Sequence, residues 1–217
     1  MSLGFVPTMG ALHQGHLSLL KKSRSQNELS LCSIFINPTQ FNNKADLKNY
    51  PSRLKEDIKL LGAAGCDVVF TPPVSEIYPG GLPSEEYDFG QLDKVMEGVQ
   101  RPGHFNGVAM VVARFFEIIQ PQRAYFGEKD YQQLAIIRSL AAQKFKNIEI
   151  VSCPTLREKS GLAMSSRNLL LNERYQIAAQ RIYQRLLSVK KRAKNANVAE
   201  LELWVANEFK KDGDLVL

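Results

Sequence analysis

Short apolar runs separated by stretches of helical periodicity organise most of the chain. The runs at residues 4–7, 31–36, 68–70, 124–126 and 148–153 have the length and side-chain content of strands. Between them apolar positions recur with a helical period over 15–23, 52–64, 105–119 and 131–144. Ser52 stands where it would cap the second of these helices, and Pro121 where it would end the third. This alternation predicts an α/β fold, a Rossmann-like parallel sheet flanked by helices. From residue 71 to 90, prolines and glycines such as Pro72, Pro73, Pro79, Gly80 and Gly81 break every period and predict a long surface excursion.

After Cys153 the pattern changes. A turn around Lys159, Ser160 and Gly161 leads into a polar stretch and then two amphipathic helices over 173–194 and 198–211. The expected organisation is one domain over 1–153 and the start of a smaller α+β domain over 154–217. A strand is expected to begin at 214–217, so this second domain reads as incomplete.

Composition narrows the class. With 217 residues, 44% hydrophobic and 23% charged, the chain can bury a globular core and is not a disordered tail. No apolar run reaches the length of a membrane span, and the start, Met1-Ser2-Leu3, lacks the charged region of a signal peptide. A cytoplasmic protein without a membrane partner is expected. Cys32, Cys66 and Cys153 have no paired spacing and read as small core residues, with no disulfide and no structural zinc. The net charge of +6 includes the late run Lys190, Lys191, Arg192 and Lys194, which reads as a solvated helix face. No aromatic RNA-binding signature accompanies it, so nucleic acid is not an expected partner.

The strongest chemical signal leaves the first strand and enters the first helix: Pro7, Thr8, Met9, Gly10, Ala11, Leu12, His13, Gln14, Gly15 and His16. Ligands of open parallel sheets bind beyond the carboxyl ends of strands, and a helix N-terminus offers amides and a positive dipole to phosphate. Gly10 and Gly15 would let the backbone approach a ligand, and His13 and His16 would present two imidazoles on one side of the helix start. As a bare pair the histidines also fit a metal site or two structural side chains, although zinc wants three or four ligands.

A second cluster, Gly127, Glu128, Lys129, Asp130, Tyr131, Gln132 and Gln133, repeats this strand-to-helix geometry. Lys129 offers phosphate a compact charge, Asp130 offers magnesium a hard oxygen, and Gln133 offers a hydroxylated substrate a neutral donor and acceptor. A solvated helix start with acids favouring the dipole is the plainer reading of the same residues. A third cluster, Met164, Ser165, Ser166, Arg167 and Asn168, is either a loop that closes on a pyrophosphate leaving group or a Ser-rich turn before a helix. Two further segments are more polar than a connection requires: Asn37, Pro38, Thr39, Gln40 and Phe41, and the stretch from Arg101 through His104 to Gly107. Gln40 is a candidate substrate amide, whereas a Pro-Gly turn explains much of the second segment. There is no P-loop, no Gly-x-Gly-x-x-Gly and no paired nucleophile and base, which favours direct attack on an ATP α-phosphate.

Taken together, residues 6–16, 37–41, 101–108, 127–133, Arg157 and 161–168 resemble the pantothenate synthetase (pantoate:beta-alanine ligase) family, within the wider His-x-Gly-His nucleotidyltransferase superfamily. The resemblance runs over essentially the whole chain. It implies a ligase of coenzyme A biosynthesis, usually a homodimer, that uses ATP and Mg2+ to couple pantoate to beta-alanine through a pantoyl adenylate, in a site between the two domains. By the same resemblance Met9, Gly10, Ala11, Leu12, His13, Gln14, Gly15, His16, Gly127, Glu128, Lys129 and Asp130 line the ATP site, with Asp130 as the metal ligand. Leu156 would contact adenine through its backbone, and Met164, Ser165, Ser166 and Arg167 would close on the phosphates.

His16 and His13, with Lys129, Ser165, Ser166 and Arg167, are the implied catalytic groups. Gln40 and Gln133, with Pro7, Met9 and Asn37, would hold pantoate. Lys159-Ser160 and Leu156 depart from the family's usual acidic residue and valine. The family's further residues at both ends make reduced activity the expectation for this chain. The competing enzyme class is a nucleotidylyltransferase acting on a phosphorylated acceptor, motivated by His13 and His16. A third is a non-catalytic nucleotide- or nucleic-acid-binding module, motivated by the basic balance.

Overall fold

The computed structural model describes residues 1–82 and 85–215. Five strands, β1 (Leu3–Thr8), β2 (Leu29–Ile34), β3 (Val68–Phe70), β4 (Arg123–Gly127) and β5 (Glu149–Cys153), form one parallel sheet in the order β3-β2-β1-β4-β5. The helices in chain order are α1 (Gln14–Arg24), α2 (Lys44–Lys48), α3 (Leu54–Ala63), α4 (Val74–Ile77), α5 (Glu97–Gln100), α6 (His104–Ile119), α7 (Tyr131–Lys144), α8 (Glu173–Arg192) and α9 (Val198–Lys210). Contacts divide the chain into two compact units, 1–155 and 156–217.

In the first unit the strands read as unbroken apolar runs because helices cover both faces of the sheet. Phe5, Leu31, Ala124 and Phe126 face one core with Phe115 and Phe116 of α6 and Ile137 of α7. The alternate positions Val6, Cys32, Tyr125 and Cys153 face the other, with Leu20 of α1 and Leu61 of α3. Each fully buried side chain of this size contributes about 2–3 kcal/mol. The strand order reverses between β1 and β4, and the crevice beyond the carboxyl ends of such a pair is where doubly wound sheets hold ligands. The loops leaving β1 and β4 are the two segments richest in candidate chemistry.

The expected parallel α/β sheet is present, with differences in detail. Strand β2 starts and ends two residues earlier than its apolar run. Ser52 does not cap α3: the helix begins at Leu54 behind Arg53, which makes no side-chain cap, and Glu56 and Asp57 lie in its first turn. Helix α6 ends before Pro121 as expected, on Gln120 in a left-handed cap. The excursion 71–90 is not purely superficial, because Ile77, Tyr78 and Phe89 are buried in the first core. Asn106 of α6 holds this segment down, accepting from Tyr87 N at 3.0 Å and donating to Glu85 O at 2.8 Å. Cys32 and Cys153 are core residues, while Cys66 is only half-buried, on the turn into β3.

The second unit contains α8 and α9 and the loop before them. Arg181 of α8 grips Asp212 with two hydrogen bonds of 2.9 and 2.7 Å, and Arg185 joins the same carboxylate while lying over the Phe209 ring. These guanidinium bonds hold the Asp212 carboxyl well below the usual range. Lys190, Lys191, Arg192 and Lys194 are exposed, as a solvated face requires, with Arg192 stacked over Trp204. The end expected to be a strand includes Val216 and Leu217, which lie outside the described residues. Among the described residues no helix is long and apolar enough to cross a membrane.

Candidate active site

The loop from β1 to α1 is held by groups inside the protein. Gly10 and Ala11 both take left-handed backbone angles, φ +83° and +48°. The next two amides point away from the crevice: Ala11 N and Leu12 N each donate to one oxygen of Asp57, at 2.8 Å. The Ala11 and Leu12 side chains are buried in the core. Both amides are thus committed to Asp57. Glycine suits position 10 because of its positive φ and because a Cβ there would stand 3.0 Å from Asp57 Oδ2 and 3.1 Å from Ile34 Cγ2.

The two histidines cap α1. His13 is the N-cap, and its Nδ1 accepts from Gly15 N at 3.1 Å; His16 Nδ1 accepts from His13 N at 3.3 Å. This is a capping box built from imidazoles in place of Ser and Glu. Because each Nδ1 accepts, each neutral ring carries its proton on Nε2, so each is a hydrogen-bond donor at that end. Burial pushes His16 down to about 3, and the charges of His13 and Lys129 add to the effect. His16 is accordingly a neutral donor at physiological pH. The influence of Lys129 on His16 also brings the β1 and β4 loops into one electrostatic field.

After β4, Gly127 has an ordinary φ of −76°, and a Cβ added to it would meet nothing within 4 Å. The fold does not need glycine there, and the open space borders the crevice. Lys129 Nζ pairs with Asp130 Oδ1 at 3.0 Å, both partly exposed, with Glu128 beside them in the same 3₁₀ turn. Asp130 Oδ2 takes no part in that pair. Among the described residues no group of three or more His, Cys, Asp or Glu is placed to hold a metal ion.

The two adjacent glutamines differ. Gln132 is buried and structural: its Nε2 donates to Leu92 O at 2.7 Å and Val95 O at 2.8 Å, and its Oε1 accepts from Glu97 N. Gln133, the next residue of α7, is half-buried.

Gln40 lies in the 3₁₀ turn Pro38–Gln40, where its Nε2 is 3.0 Å from the Met9 sulfur and its Oε1 accepts from Asn37 Nδ2 at 3.2 Å. A thioether is a weak acceptor, so the amide retains most of its donor capacity. Its backbone oxygen accepts from His104 Nδ1 at 2.8 Å. Asn37 is different from what its sequence position implied. Its Nδ2 donates to Gly107 O and Gln40, and its Oδ1 accepts from Thr39 and from Tyr78 OH at 2.9 Å. With 1% exposure and both donor hydrogens committed, Asn37 holds Gln40 in place and has no capacity left for a substrate. Gly107 lets α6 approach this turn, since a Cβ would collide with Thr39 O. Pro7 pairs in the sheet opposite Ser33, and Gln14 is exposed on α1.

In the second unit, Met164 N donates to Leu156 O at 3.1 Å, and Gly161, with φ +91°, fits against Tyr183. Arg157 lies over the Tyr183 ring at 3.9 Å and donates to Gly161 O. Ser165 caps the 3₁₀ turn Ser166–Leu170 through Arg167 N, and Asn168 braces the loop by donating to Ala163 O at 3.0 Å. The Met164–Arg167 segment is thus a braced turn whose capping serine is partly committed to structure.

A family model for pantoate-beta-alanine ligase matches residues 1–215. The chain belongs to the pantoate-beta-alanine ligase family. It is 50% identical over 215 residues to the pantothenate synthetase of Cytophaga hutchinsonii, covering 97% of this chain and 76% of that one. The pantothenate synthetase structure from Thermus thermophilus superposes with a TM-score of 0.89 at 46% identity, covering 93% of this chain and 73% of that one. The Francisella tularensis pantoate-beta-alanine ligase, solved as a complex with beta-gamma ATP and beta-alanine, gives 0.86 at 41% identity, covering 97% and 77%. The activity of the family, ligation of pantoate to beta-alanine, is the activity of this chain. The alternative of transfer to a phosphorylated acceptor is not favoured.

Sequence reasoning missed Asp57, Tyr78, the structural role of Gln132 and the bracing role of Asn37. Asp57 carries a local signal only as a first-turn acid; its contact with residues 46 and 45 positions earlier is visible only in three dimensions.

Proposed function

We propose that the chain binds ATP across the β1 and β4 loops and pantoate beside Gln40 and Gln133, and makes pantothenate in two steps. The pantoate carboxylate attacks the ATP α-phosphorus, and the bond to the bridging oxygen breaks to give pantoyl adenylate and pyrophosphate. The beta-alanine amine then attacks the acyl carbon, loses a proton, and displaces AMP. The observation that carries this reading is the imidazole capping box, which sets two Nε2–H donors at a helix start. Donors that are already oriented stabilise charge developing on phosphate without reorganisation.

Lys129 supplies the positive charge at the departing pyrophosphate. Gly127, Glu128 and Gln14 border the nucleotide. ATP brings Mg2+, for which Asp130 Oδ2 is a suitable single carboxylate, because magnesium keeps several waters and phosphate oxygens and needs few protein ligands. Bound there, the ion would neutralise phosphate charge. Met9 and Pro7 wall the pantoate site, and a cytoplasmic homodimer is the proposed setting.

The test is exchange of labelled pyrophosphate into ATP, which should require pantoate and proceed without beta-alanine. Exchange that ignores pantoate would remove the adenylate step. The glutamine pair supplies a second check. Gln133→Ala should raise the KM for pantoate about tenfold, the cost of about 1.4 kcal/mol expected for one substrate hydrogen bond, with little change in thermal stability. Gln132→Ala should instead lower the melting temperature, because it strands two buried carbonyls and an amide. Measuring both quantities on both variants checks the assignment, and a reversed pattern would refute it.

A further inference from the structure

Two successive backbone amides converging on one point form an anion-binding concavity of the kind that often receives phosphate. In this chain the concavity after β1 is already filled by the protein's own carboxylate: Asp57 from α3, only 2% exposed, with one oxygen on Ala11 N and the other on Leu12 N. The next amide, His13 N, goes to His16 Nδ1, and Gly15 N goes to His13 Nδ1. Amides 11, 12, 13 and 15 are therefore all committed inside the protein, and the chain presents imidazole Nε2–H groups where a glycine-rich loop would present backbone. Left-handed angles at Gly10 and Ala11 accompany this arrangement, and at the non-glycine Ala11 they carry a cost of about 1–2 kcal/mol that the paired hydrogen bonds must offset.

We propose that Asp57 is a positioning residue for the ATP site, an internal anion that stands in the phosphate-like nest and sets the orientation of the His13 and His16 donors. This rests on the ATP reading above. Asp57 acts by fixing Ala11 and Leu12, hence the amide of His13, hence the ring of His16. It touches no substrate. Pantoate recognition depends on Gln40 and Gln133, carried by the turn after β2 and the start of α7; Pro7 and Met9 adjoin it from the end of β1 but lie ahead of the two amides that Asp57 holds.

The test uses the full chain and two variants. Asp57→Asn keeps the size but replaces one acceptor with an NH2 group facing a backbone N–H. It should raise the KM for ATP about tenfold while the KM for pantoate stays within about twofold. Asp57→Ala leaves a space for a small carboxylate, and tens of millimolar formate should restore its KM for ATP toward the wild-type value; the same formate should not help Asp57→Asn, whose nest is filled. Equal rises in both KM values, no rise in either, or no formate rescue of folded Asp57→Ala would overturn the proposal. Should Asp57→Ala not fold, the KM split in Asp57→Asn decides alone. Absence of pantoate-dependent exchange in the wild-type chain would instead defeat the ATP reading, so the two failures are distinguishable.

Discussion

Replacing His16 with alanine is expected to reduce pantoate-dependent pyrophosphate exchange by about 10²–10³-fold, the usual cost of removing one preorganised donor at developing charge. The change removes two things together. His16 Nδ1 accepts from His13 N, a capping bond whose loss costs about 1 kcal/mol of stability, and Nε2–H is the donor proposed to meet phosphate. His16→Asn separates them. A short side-chain amide at this third helical position can still accept from the His13 amide but does not extend to where Nε2 lies. The asparagine variant should therefore recover most of the thermal stability lost in His16→Ala and almost none of the exchange rate. Recovery of exchange in His16→Asn would show that the histidine matters only as a cap.

Because burial keeps His16 neutral down to about 3, its ionisation should be absent from the pH profile of exchange across the neutral range. A protonation with a midpoint near the ordinary histidine value that disappears in His16→Asn would contradict the neutral-donor role.

How far the sequence revealed this site differs from residue to residue. The strands were legible because a sheet covered on both faces demands unbroken apolar runs, and Phe5-Val6 and Ala124-Tyr125-Phe126 feed two opposite cores. The alternation of elements implied a parallel sheet, and candidate residues fell on loops leaving strand ends for the reason such loops bind ligands in general. Strand order was not legible, because it depends on which helices cross which face. Caps made by histidine were also hidden, since the residues expected at that position are Ser, Thr, Asp and Asn. Asp57 drew no notice in the sequence, because nothing local distinguishes it from Glu56, which is exposed in the same first turn. Gln132 and Gln133 differ by the one helical step that places one inside and one at the rim. The resemblance implied Asn37 as a pantoate contact; its hydrogen bonds to the α6 backbone at Gly107 and to the hydroxyl of Tyr78 could not be read from sequence.

Lys129 should prove as important to rate as His16, and it leaves a second signature. Lys129→Gln removes the compact positive charge proposed for the α-phosphate region, with an expected loss of about 10²–10³-fold in exchange. It also removes one of the influences that hold the His16 pKa down. Burial, the largest cause, remains, so the His16 midpoint should rise above about 3 while staying below the ordinary 6.5. Nitrogen chemical shifts of the imidazole would follow this directly. The sign for stability follows from the same pair of values. Between 6.5 and about 3 the unfolded chain binds a proton at His16 that the folded chain refuses, so this group costs stability as pH falls through that window, approaching about 1.4 kcal/mol per pH unit. Above the window it makes no pH-dependent contribution. Raising the folded pKa narrows the window, so Lys129→Gln should lose less stability on acidification than the wild-type chain despite being the poorer enzyme. An unmoved His16 midpoint together with an unchanged acid limb would mean that Lys129 does not share the field of the α1 cap, and the phosphate site would have to be assigned to the β1 loop alone.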